Sequence, residues 1–91
     1  MTISEKRLAD NIGLLIKKAR KAKGFTQKTV GELADVQRGY ICRLEKGRHL
    51  PSLTMLIRLA GVLDVTASLL LPGEKAGEYE EKEGGNNGKI D

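Results

Sequence analysis

Residues 26–47 read Thr26-Gln27-Lys28-Thr29-Val30-Gly31-Glu32-Leu33-Ala34-Asp35-Val36-Gln37-Arg38-Gly39-Tyr40-Ile41-Cys42-Arg43-Leu44-Glu45-Lys46-Gly47. Thr26 is a good N-cap, so a short helix is expected from Gln27 to about Ala34, with Val30, Leu33 and Ala34 as its buried face. Asp35-Val36-Gln37 then breaks the pattern. Asp adopts left-handed backbone more readily than most residues, which suits a tight turn. A second helix is expected from about Gln37 or Arg38 to Lys46, and Gly47 ends it. At about 100° per residue, Ile41 and Leu44 share one side of this helix, with Tyr40 beside them. Arg38, Gly39, Cys42 and Arg43 fall on the opposite side, and Lys46 follows them. Two short helices, a tight turn and a basic outer face are the parts of a helix-turn-helix. Such a face suits a major groove about 12 Å wide, which admits a helix. The same helix taken alone also fits an ordinary amphipathic segment with solvated charges.

Outward from this stretch, Ser4 is a candidate cap for a helix running to about Lys23. Leu8, Ile12, Leu15, Ile16 and Ala19 recur on it at helical spacing, and Gly24 provides its stop. Arg48-His49-Leu50-Pro51 reads as a loop. Ser52 caps a further helix to about Leu63, with Leu53, Leu56, Leu59, Ala60 and Leu63 facing inward. Asp64-Val65 is a turn, Thr66 a cap, and Ala67 to Leu71 a last helical turn that Pro72-Gly73 stops. The expected fold is therefore all-α, a compact five-helix domain with the helix-turn-helix at its second and third helices. Residues 12–73 are read as that domain and residues 1–11 as an N-terminal extension of its first helix. Residues 74–91 are read as an acidic, disordered tail, because Glu, Lys, Gly and Asn there bury too little surface to offset ordering entropy.

Charge is divided along the chain. The 91 residues carry a formal net charge of +4. Residues 1–73 hold 13 bases and six acids, whereas residues 74–91 hold six acids and three lysines. A body that basic suits a polyanionic partner. The few aromatic residues (Phe25, Tyr40, Tyr79) argue against a single-strand binder that stacks bases on rings. One cysteine, Cys42, permits no internal disulfide and no cysteine cluster for zinc. No apolar run approaches the roughly 20 residues of a membrane span, and Met1-Thr2-Ile3-Ser4-Glu5 lacks signal-peptide order. The expectation is a cytoplasmic protein with no membrane partner.

With these residues in view, Ile12–Leu70 resembles the helix-turn-helix domain of the phage repressor and Cro superfamily, also called XRE-like. The matching residues are Thr26-Gln27, Glu32-Leu33-Ala34, Val36, Arg38, Tyr40-Ile41, Arg43-Leu44-Glu45 and Gly47. They continue with Pro51-Ser52-Leu53, Leu56 and Leu59-Ala60. The chain departs from the pattern at Gly31, usually Ala, at Asp35, usually Gly, and at Gln37, usually a better cap. The resemblance implies a lambda-repressor-like fold and a sequence-specific regulator bound to double-stranded DNA. It places Gln37, Arg38, Gly39 and Arg43 at base-facing positions. Arg38 and Arg43 would each hold a guanine or, alternatively, a phosphate. Gly39 would be read by shape or water, or not at all. Gln27 would bond a phosphate at the start of the second helix, or else stand exposed without a role, and Lys46 and Arg48, with or without His49, would clamp the backbone. Tyr40 would place its hydroxyl on a phosphate or pack at the helix edge. Arg20 and Glu45 would form a partly buried ion pair that orients the third helix, or else be solvated.

Family members usually act as two-fold dimers on palindromic half-sites, so a homodimer on a palindromic operator is implied. Met55, Val62, Leu69, Leu70 and Leu71 are the candidate interface, against an ordinary scatter of exposed apolar residues. Leu14 is also off the core stripe. Cys42 is either a redox-sensitive thiol between arginines or a small residue tolerated near the groove. His49 has no partner at ligand spacing, so no metal is expected. No nucleophile motif or phosphate loop points to an enzyme, a cofactor or a small-molecule ligand. The leading reading is a repressor or restriction-modification controller. Its rivals are an antitoxin-like module whose main partner is a protein, and a nonspecific nucleoid or RNA-binding protein.

Overall fold

The first two residues set where the chain turns helical. In the computed structural model, which describes residues 1–72, Thr2 caps helix α1 (Ile3–Lys23). The Thr2 hydroxyl accepts from the Glu5 backbone N–H at 3.1 Å, and Glu5 Oε1 accepts from the Thr2 N–H at 2.8 Å. This reciprocal box satisfies two orphan donors at once, so the cap is Thr2 and not Ser4. It also holds the Glu5 carboxyl below its ordinary pKa, chiefly through the backbone hydrogen bond with Thr2. Gly24 ends the helix in left-handed backbone at φ 75°.

Helices α2 (Gln27–Ala34), α3 (Arg38–Glu45) and α4 (Leu53–Leu63) follow. Hydroxyl caps open two of them: Thr26 accepts from Thr29 N–H at 3.0 Å and Ser52 from Met55 N–H at 3.1 Å. Gln37 makes no side-chain cap for α3, so that helix starts without one. The α2–α3 turn passes through Asp35 in left-handed backbone, φ 61°, as the Asp at that position leads one to expect. Helix α3 stops at Glu45, one residue short of the sequence expectation, with Lys46 as its C-cap.

The fifth helix is not formed as an α-helix. Ala67–Leu70 is a single 3-10 turn, and the described residues contain four α-helices and no strand. With three residues per turn, Ala67 and Leu70 fall on the same side. Leu70 is fully buried in the core and Ala67 packs against it, while Leu69 and Leu71 are splayed outward. Leu70 is therefore not a surface residue and leaves the list of interface candidates. Residues 74–91, read as an acidic tail, lie outside the described residues.

The core joins Ile12 and Ile16 of α1, Val30 and Ala34 of α2, Ile41 and Leu44 of α3, and Leu56, Leu59 and Leu63 of α4. Three leucines expected inside are not. Leu33 is 57% exposed and Leu53 is 68% exposed. The buried line of α2 runs through Val30, Gly31 and Ala34, which leaves Leu33 outside it on the flank. Leu53 opens α4 one turn before its first buried residue, Leu56. Leu8 is exposed at the edge of the α1 stripe, whose buried line runs through Ala9, Ile12, Gly13 and Ile16. Leu14 is exposed, as its place off the stripe suggests.

Gly13 decides how closely α1 and α3 approach. A Cβ there would lie 2.3 Å from the Leu44 carbonyl oxygen and 2.8 Å from that of Glu45. Both are backbone atoms, so no side chain can move aside. Gly13→Ala is expected to cost about 1–3 kcal/mol through forced backbone shifts. Gly61→Ala, with nothing within 4 Å of its Cβ, is expected to gain up to about 1 kcal/mol from helix propensity. Paired urea denaturation curves would show midpoints moving in opposite directions.

Candidate nucleic-acid interface

Helix α3 has a buried apolar side and an exposed basic side. Ile41 and Leu44 are buried against the other helices. Arg38, Gly39 and Arg43 are exposed, Gln37 is exposed just before the helix, and Cys42 is half-buried. The Arg43 Nη1 atom lies 3.4 Å from where a Gly39 Cβ would stand. The space a side chain at Gly39 would fill is thus partly occupied by the guanidinium four residues on. Lys46 and Arg48 continue the exposed cations past the helix end. Tyr40 is half-buried, and its ring centroid lies 5.6 Å from that of His49 at a 48° tilt. The ring thus packs at the helix edge against the loop residue.

The end of α3 is fastened by a polar network across three helices. Arg20 Nε donates to Glu45 Oε2 at 2.6 Å and Nη2 donates to Oε1 at 3.1 Å. This is the bidentate fork that matches guanidinium to carboxylate. The side chains are 11% and 3% exposed, so the pair is nearly dry. Hydrogen bonding to Glu45 raises the Arg20 pKa above its ordinary value, against the opposing effect of burial. The third guanidinium nitrogen, Nη1, donates to the Phe25 carbonyl at 2.9 Å. Arg20 therefore fixes the residue before the α2 cap as well as the last residue of α3.

Gln27 joins this network, a link that no sequence spacing reveals. Its Nε2 donates to Glu45 Oε1 at 3.0 Å. A carboxylate accepts only, so the amide must turn its NH2 toward Glu45 and its oxygen away. One amide hydrogen remains for another acceptor. The first-turn N–H groups of α2 add to this, because Thr26 satisfies only that of Thr29. The start of α2 and the exposed side of α3 are thus held in fixed relation by one buried ion pair. A second clamp comes from α4, where Arg58 Nη1 donates to the Ala34 carbonyl at 3.2 Å, at the end of α2.

The candidate dimer residues are divided. Leu69 and Leu71 are exposed, at 60% and 40%, whereas Met55 and Val62 are half-buried against the core. Among the described residues no helix is long and apolar enough to cross a membrane.

Residues 16–70 match a family model described as helix-turn-helix. The immunity repressor protein of Bacillus phage phi105 is 35% identical over 77 residues, covering 79% of this chain and 54% of that protein. The transcriptional regulator SinR of Bacillus subtilis (strain 168) is 34% identical over 70 residues, 76% of this chain and 63% of SinR. The chain thus spans between a half and two thirds of these two relatives. Among solved structures, the restriction-modification controller protein C.AhdI from Aeromonas hydrophila aligns with a TM-score of 0.67 at 30% identity. It covers 69% of this chain and 91% of that one. SinR in complex with DNA aligns with a TM-score of 0.62 at 35% identity, covering 65% of this chain and 95% of that one.

Proposed function

For a chain that belongs to the helix-turn-helix family, we propose the work of a sequence-specific transcription regulator of double-stranded DNA. The observation that carries this reading is the exposed basic side of α3, held by a buried Arg20–Glu45 pair to the start of α2. In this reading α3 enters the major groove, with Arg38 and Arg43 at base edges and Gln37 and Gly39 beside them. Gln27 and the free N–H groups of α2 take one phosphate, and Lys46 and Arg48 take another. Tyr40 supports the helix edge through His49 and can turn its hydroxyl to the same strand. The working unit is residues 12–73, with 1–11 lengthening its first helix and 74–91 as an appended acidic segment.

A single helix contacts only a few base pairs, so the regulator acts as a homodimer on a palindromic operator. Leu69 and Leu71 are its contact residues, together with the partly exposed Met55 and Val62. The names of the relatives, an immunity repressor and a restriction-modification controller, support repression or control of that kind. Selection of bound duplex from a random pool tests the whole reading. The expected product is a two-fold symmetric site, bound about a thousandfold more tightly than random duplex. Equal affinity for all sequences would overturn it.

One observation favours a second reading. Leu33, Leu53 and Ile57 are all well exposed on α2 and α4, outside the basic side of α3. Exposed apolar residues of this size suit a module whose main partner is a protein, as in an antitoxin. A protein that selects no sequence from the pool but co-purifies with the product of a neighbouring gene would favour this reading.

A further inference from the structure

The N-terminal turns of α1 precede the segment matched by the family model, which begins at residue 16. They nevertheless touch the end of α3. Lys6 Nζ donates to the Gly47 carbonyl at 2.9 Å, across 41 residues of sequence, and to Asp10 Oδ1 at 2.8 Å. Gly47 has φ 73°, and a Cβ on it would collide with the Asp10 carboxylate. Gly47 is therefore wedged under α1 and cannot carry a side chain. Its carbonyl takes a charged donor just where a helix C-terminus favours positive charge. Gly47 lies between Lys46 and Arg48, the two exposed cations that follow α3. Arg48 N–H in turn donates to the Arg43 carbonyl at 2.9 Å.

The Lys6–Asp10 pair is half exposed, at 50% and 49%. Exposed pairs of this kind contribute little to global stability. What the contact does fix is the path of the strap 46–48. Resting on the DNA-binding reading above, we propose that Lys6 is a positioning residue: it braces the Gly47 carbonyl, so that Lys46 and Arg48 are already aimed at the phosphate backbone. Asp10 holds the Lys6 ammonium against that carbonyl and away from the DNA.

The test uses the full chain with Lys6→Met and Asp10→Asn, and reads both amide exchange in the free protein and duplex affinity against salt. In the Lys6→Met protein, amide exchange at Arg48 is expected to quicken while the thermal midpoint barely moves. Operator affinity is expected to fall about fivefold with an unchanged salt slope, because no phosphate contact is lost. A slope reduced by about 0.9 would make Lys6 a direct phosphate ligand and overturn the positioning role. Asp10→Asn separates the brace from plain electrostatics. Removing an acid near a polyanion tightens binding by charge alone, whereas loosening the brace weakens it. Tighter binding by the Asn variant would overturn the proposal, as would unchanged exchange at Arg48 in Lys6→Met. If the unmodified protein binds no duplex, the exchange result still decides the brace, and only the DNA reading fails.

Discussion

Glu45→Ala is expected to remove most of the protein's stability, about 3–5 kcal/mol. The side chain is nearly buried and serves two partners, Arg20 and Gln27. Truncation leaves a guanidinium that cannot lose its proton inside the protein, with no counter-charge. Total stabilities are only about 5–15 kcal/mol, and a domain of this size belongs near the lower end. Urea denaturation followed by circular dichroism would report the loss as a lowered midpoint. Replacing both partners, Arg20→Met with Glu45→Leu, is expected to restore much of the stability, because well-packed apolar groups replace a desolvated pair without penalty. The same double variant is expected to bind operator DNA poorly. Gln27 would lose the carboxylate that orients its amide, and the Phe25 carbonyl would lose its donor. A double variant that regained both stability and affinity would show that the pair has no orienting role. One that regained neither would point to packing alone.

Arg43→Ala is expected to have the largest effect on recognition, about 1–3 kcal/mol for each half-site contacted. On a two-fold operator both half-sites are affected. The exposed guanidinium is free of any intramolecular salt bridge among the described residues, so little folding free energy is at stake. The loss should come with relaxed base preference at one position in each half-site. Lys46→Ala is expected to differ in kind. It should weaken binding to every duplex by a similar factor and lower the salt slope by about 1. Titrations of operator and of single-base variants across a salt series would separate the two. Equal losses on operator and random duplex for Arg43→Ala would move that arginine to the phosphate backbone.

Much of the fold was legible in residues 26–63, and the reasons are local. Hydroxyl caps at Thr26 and Ser52 mark helix starts by their own hydrogen-bonding needs. Asp35 marks a turn by its tolerance of positive φ. Ile41 and Leu44 against Arg38 and Arg43 expose the two sides of α3 through period alone. What the pattern leaves open concerns neighbours and not period. Leu33 fits a helical stripe, but an eight-residue helix buries whichever line its partners cover, and α2 buries Val30, Gly31 and Ala34. Leu69–Leu71 gave no sign of which leucine turns inward, because that depends on a 3-10 and not an α geometry. Ser4 is an acceptable cap by residue type alone, yet Thr2 has Glu5 three residues on, and the box decides. In the candidate site, the exposed cations were readable from the wheel. The hydrogen bonds from Gln27 to Glu45 and from Lys6 to Gly47 were not, since they join residues 18 and 41 positions apart with no periodic signature.

Helix α3 is fastened from one side and at one end, by Ile41, Leu44, Glu45 and the close backbone contact at Gly13. Among the described residues, the side chains of Arg38 and Arg43 on its outer side make no intramolecular salt bridge. Substitutions at exposed positions away from such fastenings usually change stability by no more than about 0.5 kcal/mol. The residues that would choose an operator are therefore the ones that selection can rewrite most freely. Lineages carrying this scaffold can diverge in the sites they address, and can separate from one another's regulatory circuits, without first having to solve the folding problem again.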